Sequence, residues 1–169
     1  NLRAVFGQVS FRYQVGQTLG NSRHAVMKLC LNTSTGGFVV MQALPSSMRA
    51  AVEKEAAVLM SAPHKHLVKV VGVDAHVEGE VRLFTEYVPG GTVASFLRRF
   101  GTLEEVVIQQ YVRQCVLALA HLHAKGLAHR DLTVDNIMVA SDGTIKLGGV
   151  GAGSLADRAA DTHGDGTPN

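Results

Sequence analysis

The stretch "HRDLTVDN", His129 to Asn136, holds the most chemically specific arrangement in the chain. It sets the carboxylate of Asp131 and the carboxamide of Asn136 five residues apart on one short loop. A carboxylate so placed can accept a proton from a hydroxyl group, and an amide oxygen beside it can ligate a metal ion. The histidines invite a metal reading as well, in "HKH" (His64 to His66) and "HLH" (His121 to His123). On a helix, His121 and His123 fall on different faces and do not chelate together. Structural roles are expected for these rings. Cys30 and Cys115 have neither metal-knuckle spacing nor a disulfide framework, and read as buried reduced thiols.

Several elements must position that loop. "RYQVGQTLG" and "HAVMKLCLN" are β-rich runs joined by Gly20-Asn21-Ser22, and "TGG" at Thr35 to Gly37 turns the chain into "FVVMQAL". The spacing predicts a three-strand antiparallel meander. "SSMRAAVEKEAAVLMSAP" reads as a helix, capped by Ser46 or Ser47, with Pro63 beyond its end. Two more strands follow, "LVKVVGV" and "VRLFTEYV", before Pro89 to Gly91 breaks the pattern at a natural hinge. "TLEE" has the form of a capping box, with Thr102 at the cap and Glu105 three residues on. From there Leu103, Val107, Tyr111, Cys115, Leu119 and Leu122 recur at helical spacing, and Gly126 ends the helix. "LRRF" (Leu97 to Phe100) is either an acidic-partner contact or, more simply, a solvated face. Asp142-Gly143 then turns the chain into a short strand, "TIKL", that runs into glycines. Strands first and helices later make an α+β order, with a strand lobe and a helix lobe.

Composition narrows the partners. A chain of 169 residues, 46% hydrophobic and 18% charged, is long and apolar enough for an ordinary globular domain. Its net charge of +2 is too small to argue for nucleic acid or an acidic membrane surface, and neither is expected as a partner. No apolar run approaches the ~20 residues of a membrane helix, and no signal peptide is visible. A cytoplasmic protein is the expectation. The start at Asn1, without an initiator methionine, points to an excerpt of something longer.

"EYVPGGTVASFLRRFGTLEE", "YVRQCVLALAHLHAKGLAHRDL", "DGTIKL" and the terminal "GTP" stand in an order that resembles the protein kinase family. The phrasing is closest to mitogen-activated protein kinase kinase kinases, and the resemblance runs from Tyr13 to Asn169. It implies a two-lobed kinase fold: an extension over 1–12, an N-lobe over 13–88 with a five-stranded antiparallel sheet and one helix, and a partial helical C-lobe over 89–169. It also implies roles. Asp131 matches the catalytic base, Asn136 a magnesium ligand, His129 the histidine beneath the active site, and Arg130 its neighbour in the same motif. Glu55 matches the acidic residue of the inserted helix. The nucleotide pocket would be framed by Leu19, Gly20, Ser22, Ala25, Met27, Val40, Gln42, Thr85 and Met138, with Glu86, Tyr87 and Val88 as the hinge that holds adenine. The segment ending in "GTPN" would fall within the activation segment, leaving the helical lobe short. The apolar stripe through Tyr111, Cys115 and Leu119 would then lie uncovered.

The departures from the family pattern matter more. In the glycine loop only Gly20 is kept, and Ser22 and Ala25 replace the other two glycines, which restricts backbone approach to phosphates. Met27 replaces its valine, and Val40 fills a place usually held by alanine, crowding adenine. Gln42 stands where the phosphate-gripping lysine belongs, so Glu55 loses its ionic partner and is expected to be a solvated helix residue. Lysine is expected two residues after Asp131, and Thr133 stands there. Gly149 and Val150 replace the aspartate and phenylalanine of the metal-binding motif, which takes the main carboxylate away from magnesium. Lys28 cannot substitute for the missing lysine, because with Met27 facing the nucleotide the alternation of a strand turns Lys28 away. The resulting expectation is a catalytically impaired pseudokinase, with ATP and magnesium binding weakened or absent, acting as scaffold or allosteric partner of other kinases or cascade proteins. The alternative is a weakly active ATP-dependent serine/threonine kinase.

Overall fold

A computed structural model of the chain describes residues 2–6, 9–21 and 25–150, with side chains for 11–20 and 25–150. Strands β1 (Leu2–Phe6), β2 (Val9–Asn21), β3 (Val26–Asn32) and β4 (Phe38–Pro45) pair in succession, all antiparallel. Helix α1 (Arg49–Ser61) leads into β5 (Val70–Asp74) and β6 (Glu80–Glu86). β6 inserts beside β4, so the sheet runs β1-β2-β3-β4-β6-β5. Strands β2 to β6 are the five expected from the sequence. β1 adds a sixth, built from residues within the 1–12 extension.

Because successive side chains on a strand point to opposite faces, this one sheet serves two cores. Val39 and Met41 face a cluster with Phe11, Tyr13, Cys30 and Phe84. Its three rings pack edge-on or tilted, with centroids 4.6–6.1 Å apart. Tyr13 is fully buried, and a buried phenol needs partners. Arg82 Nη1 donates to its hydroxyl at 2.8 Å, and the hydroxyl donates to Asp74 Oδ2 at 3.4 Å. On the opposite face Leu44, Val70, Val73, Val81 and Leu83 pack on Met48, Val52 and Ala56 at the start of α1.

The caps differ from expectation. Neither Ser46 nor Ser47 caps α1: Ser46–Met48 form a 3₁₀ turn, and Met48 occupies the N-cap with no side-chain hydrogen bond. Thr102 likewise caps nothing. Helix α3 (Glu105–Ala124) starts two residues later than read, with Glu104 at its N-cap. The capping box belongs instead to an unforeseen helix, α2 (Val93–Phe100), in which Thr92 and Ser95 satisfy each other's backbone N–H groups. Arg98 and Arg99 of "LRRF" lie in the last turn of α2, where cations suit the helix dipole.

Below the sheet, a short hairpin of β7 (Ile137–Val139) and β8 (Ile145–Leu147) packs on α3. Cys115, Ala118 and Leu122 of α3 share a core with Leu67, Ile145 and Leu147, and Tyr111 and Leu119 pack against it. The stripe expected to lie bare is therefore covered by the hairpin. The apolar residues of α3 that face solvent are others: Val106, Ile108, Val112, Val116 and Leu117.

The link from β6 to α2 runs hard against β7. Val139 N donates to Gly91 O at 2.8 Å, and a Cβ on Gly90 would stand 2.1 Å from the Val139 carbonyl oxygen. Gly90→Ala is expected to push the link off the hairpin and cost roughly 1–3 kcal/mol, read as a lowered Tm. Gly37→Ala, whose Cβ would meet only Thr35 Oγ1 at 3.4 Å, is the control and should stay within about 0.5 kcal/mol.

Candidate functional site

The loop after α3 is held by its own polar groups. His129 is buried, and the backbone N–H of Asp131 donates to its Nδ1 at 3.4 Å. An accepting Nδ1 belongs to a neutral ring, and burial pushes the His129 pKa below its ordinary value, against the pull of the Gly148 backbone and Asp131. Arg130 takes φ 61°, the left-handed region that a non-glycine residue rarely occupies. This turn sets Asp131 facing Asn136. Asn136 Nδ2 donates to the Asp131 carbonyl at 2.7 Å and to carboxylate Oδ2 at 2.9 Å. The Asn136 backbone is stitched at both ends, its N–H to Thr133 O at 3.0 Å and its carbonyl to Gly148 N at 2.8 Å.

Gly149 lies against that amide. Its φ is +77°, and a Cβ there would stand 2.8 Å from Asn136 Cγ and 2.9 Å from Oδ1. The glycine thus does more than lack a carboxylate. The space where a side chain would begin is already occupied by Asn136. Magnesium asks for near-octahedral oxygen ligands, commonly with one or two carboxylates. Here one carboxylate, Asp131, already accepts from the neighbouring amide, and no group of three or more His, Cys, Asp or Glu among the described residues could hold a metal ion. The donor set does not fit the magnesium site that the resemblance implied.

A cleft opens beside this loop, under the second face of the sheet. Met27, Val40 and Gln42 come from β3 and β4, Leu83, Thr85 and Glu86 from β6, and Met138 and Gly148 to Val150 from below. The register explains the upper wall: Met27 pairs with Gln42 and Gln42 with Leu83, so all three point one way. Lys28 pairs with Met41, on the face of the aromatic cluster, and turns away from the cleft as expected. The cavity is about 30 Å³, room for about one water. Val40 and the two methionines fill it.

Other expected residues lie elsewhere. Ala25 is buried in the core under α1, with Leu44 and Met48, and does not line the cleft. Leu19 is 40% exposed, and Gly20 pairs with Met27. Ser22 falls outside the described residues. Tyr87 sets its ring edge-on to Phe38 at 6.3 Å, and Val88 is buried. The Glu86 carboxylate faces away from the loop chemistry: Oε1 accepts from Lys146 Nζ at 2.7 Å and from Lys69 N at 2.8 Å. Glu55 is not the solvated residue expected. It is 5% exposed, lining a small hollow with Val52, Leu59, Leu83 and Val150, because α1 turns this face to the sheet. Sequence reasoning passed over Leu83, Leu147 and Val68 as cleft residues; the period-two step back from Thr85 would have found Leu83.

The histidines prove structural. His64 stacks on His121 at 4.8 Å, His121 Nε2 donates to Ala62 O at 2.9 Å, and His66 Nδ1 donates to Ile145 O at 3.0 Å. They bolt the segment after α1 to α3 and β8.

The protein kinase domain family matches residues 13–169. A mitogen-activated protein kinase kinase kinase, mkh1, of Cytospora mali is 31% identical over 163 residues, covering 89% of this chain and 9% of its own length. The serine/threonine-protein kinase BCK1/SLK1/SSP31 of Saccharomyces cerevisiae is 30% identical over 153 residues, covering 83% of this chain and 10% of its own. This chain therefore spans about a tenth of the length of these relatives. Among solved structures, Rad53 (residues 1-466, in complex with AMP-PNP) superposes with a TM-score of 0.76 at 24% identity, over 83% of this chain and 38% of that one. That likeness fixes the fold as the two-lobed kinase fold.

Two outcomes follow from the site. Gly149→Asp should destabilise the fold by roughly 1–3 kcal/mol, through left-handed strain and displacement of Asn136, measured by denaturant unfolding. The second concerns pH. His64 and His129 both have folded pKa values lowered from 6.5, chiefly by burial. A depressed pKa means that the unfolded chain binds protons first, so stability present above about pH 7 is lost as pH falls through 6.5 toward the folded values. Tm should fall across that window and His129→Gln should flatten the slope; a Tm constant from pH 7 to 5.5 would refute it.

Proposed function

The chain belongs to the protein kinase family, and from that premise we propose that it is a catalytically impaired member, a pseudokinase, acting as scaffold or allosteric partner in a kinase signalling cascade. One observation carries the reading: among the described residues lining the cleft there is no lysine, arginine or aspartate. A triphosphate brings several negative charges, and phosphoryl transfer works almost wholly by positioning and neutralising them. Gln42 stands, buried, where a cation would be needed, and it offers only an uncharged amide. Gly149 offers no ligand, and Asn136 fills the space beside it. Removing one preorganised charge-stabilising group typically costs about 10²–10³ in rate. Two such losses, even partly non-additive, bring turnover near background.

The cascade setting rests on relatives named as mitogen-activated protein kinase kinase kinases, and the partners are then other kinases or cascade proteins in the cytoplasm. No described helix is long and apolar enough to cross a membrane. A second reading, a weakly active serine/threonine kinase, is favoured by one feature. Asp131 keeps a carboxylate on an ordered loop beside Asn136.

Thermal unfolding with ATP, in magnesium and in chelator, tests the choice. A ligand at ~100 times its Kd would stabilise by about 2.7 kcal/mol. The expected result is no magnesium-dependent shift. A magnesium-dependent shift, with phosphate transfer that disappears in Asp131→Asn, would establish the weak kinase instead.

A further inference from the structure

A second, roomier cavity shares a wall with the cleft. It measures about 280 Å³, against about 30 Å³ for the cleft itself. Its floor is apolar, formed by Leu59, Leu67 and Val68, and Ala62 and Pro63 close one side. Its rim is basic. Lys65, Lys69 and Lys146 line it, with Glu86 as the one carboxylate. That carboxylate is already committed, since Lys146 Nζ lies 2.7 Å from its Oε1. Lys65 and Lys69 are exposed and make no ion pair among the described residues. His64, also in the lining, adds no charge of the opposite sign. The cavity thus joins a greasy floor to a rim with two uncommitted positive charges.

We propose that this cavity is a docking site for an acidic peptide segment of a partner protein, one that inserts an aliphatic or aromatic side chain and leaves flanking carboxylates on Lys65 and Lys69. The layout favours a peptide over a small enclosed anion. A free phosphate or dicarboxylate would be held by the rim and would leave the apolar floor wet, whereas an apolar side chain with acidic neighbours satisfies both parts. At about 280 Å³ the space is at the lower edge of small-molecule pockets and suits one bulky side chain. The site is also placed to matter. Leu59, Leu67, Val68 and Glu86 line both this cavity and the cleft, so an occupant presses on a wall that the two share. The docking itself does not depend on whether the cleft is catalytically impaired.

The probe is a fluorescein-labelled peptide with a single leucine flanked by glutamates, titrated against the chain by fluorescence anisotropy. Binding is expected to weaken with salt, and to drop at least tenfold when the leucine is replaced by serine or the glutamates by glutamines. Lys65→Glu with Lys69→Glu should also lower affinity at least tenfold. Both residues are exposed, so an unchanged Tm confirms that the variant folds. Ala62→Phe, which fills the cavity without touching the charges, should abolish binding. Competition by inorganic phosphate alone at equal concentration would overturn the peptide assignment. So would failure to bind at millimolar peptide, or binding indifferent to the charge reversals and to Ala62→Phe.

Discussion

The alternation of side chains along β4 governs most of what this molecule can do. One strand of eight residues sends Val39 and Met41 into the aromatic core, Leu44 under α1, and Val40 and Gln42 over the cleft. A register slip by one residue would exchange these sets and put Met41 in the cleft. The aromatic cluster and the Tyr13–Arg82–Asp74 network forbid such a slip, because both need partners at fixed positions on β2, β5 and β6. The same register removes a rescue. Lys28, the cation next to the cleft in sequence, is bound to Met41's side of the sheet. Among the described residues, the lack of positive charge in the cleft thus follows from strand geometry as well as from Gln42.

The lower wall obeys a different constraint. Arg130 in its left-handed turn brings Asp131 round to meet Asn136, and Asn136 then spans from the loop to the exit of β8. The loop's bonds are local: Asn136 Nδ2 reaches both the carbonyl and the carboxylate of Asp131. Gly149 is compatible with it because it has no Cβ and tolerates a positive φ. Loop and glycine are therefore mutually adjusted. A side chain at position 149 would therefore carry a cost.

How much of this was legible in the sequence depended on the range of the signal. Strands β2 to β6 were legible because Gly-rich turns punctuate apolar runs, and the α3 stripe because Cys115, Leu119 and Leu122 keep helical phase into the core. Thr102 misled because a capping box is a four-residue pattern that nothing nonlocal enforces, and α2 escaped notice because its box uses Ser95 where glutamate is usual. The burial of Glu55 could not be read, since a lone acidic residue on an amphipathic helix looks the same on either face until the sheet is placed above it. The contact between Gly149 and Asn136 joins residues thirteen apart through a hairpin, and only the β7–β8 pairing brings them together. For the same reason the spacing of Asp131 and Asn136 was legible, and the hydrogen bonds between them were not.

The position of Glu86 gives the fold its asymmetry. On an ordinary reading it is a hinge residue whose backbone serves the cleft, yet its side chain is drawn to Lys146 and to the backbone of Lys69 on the far side. A half-buried ion pair of this kind adds little net stability, because its desolvation offsets much of the Coulombic gain. What it supplies is orientation. It ties β8 to β6 and to the segment before β5, beside the backbone bonds Val68 N to Leu147 O, Leu147 N to His66 O and Glu86 N to Lys69 O, each 2.9 Å. The cleft, lined by Met27, Val40 and Met138, measures about 30 Å³, and the cavity that Lys146 and Glu86 also line measures about 280 Å³. Where the described cleft residues offer phosphate no lysine or arginine, the cavity behind that shared wall carries Lys65 and Lys69 at its rim.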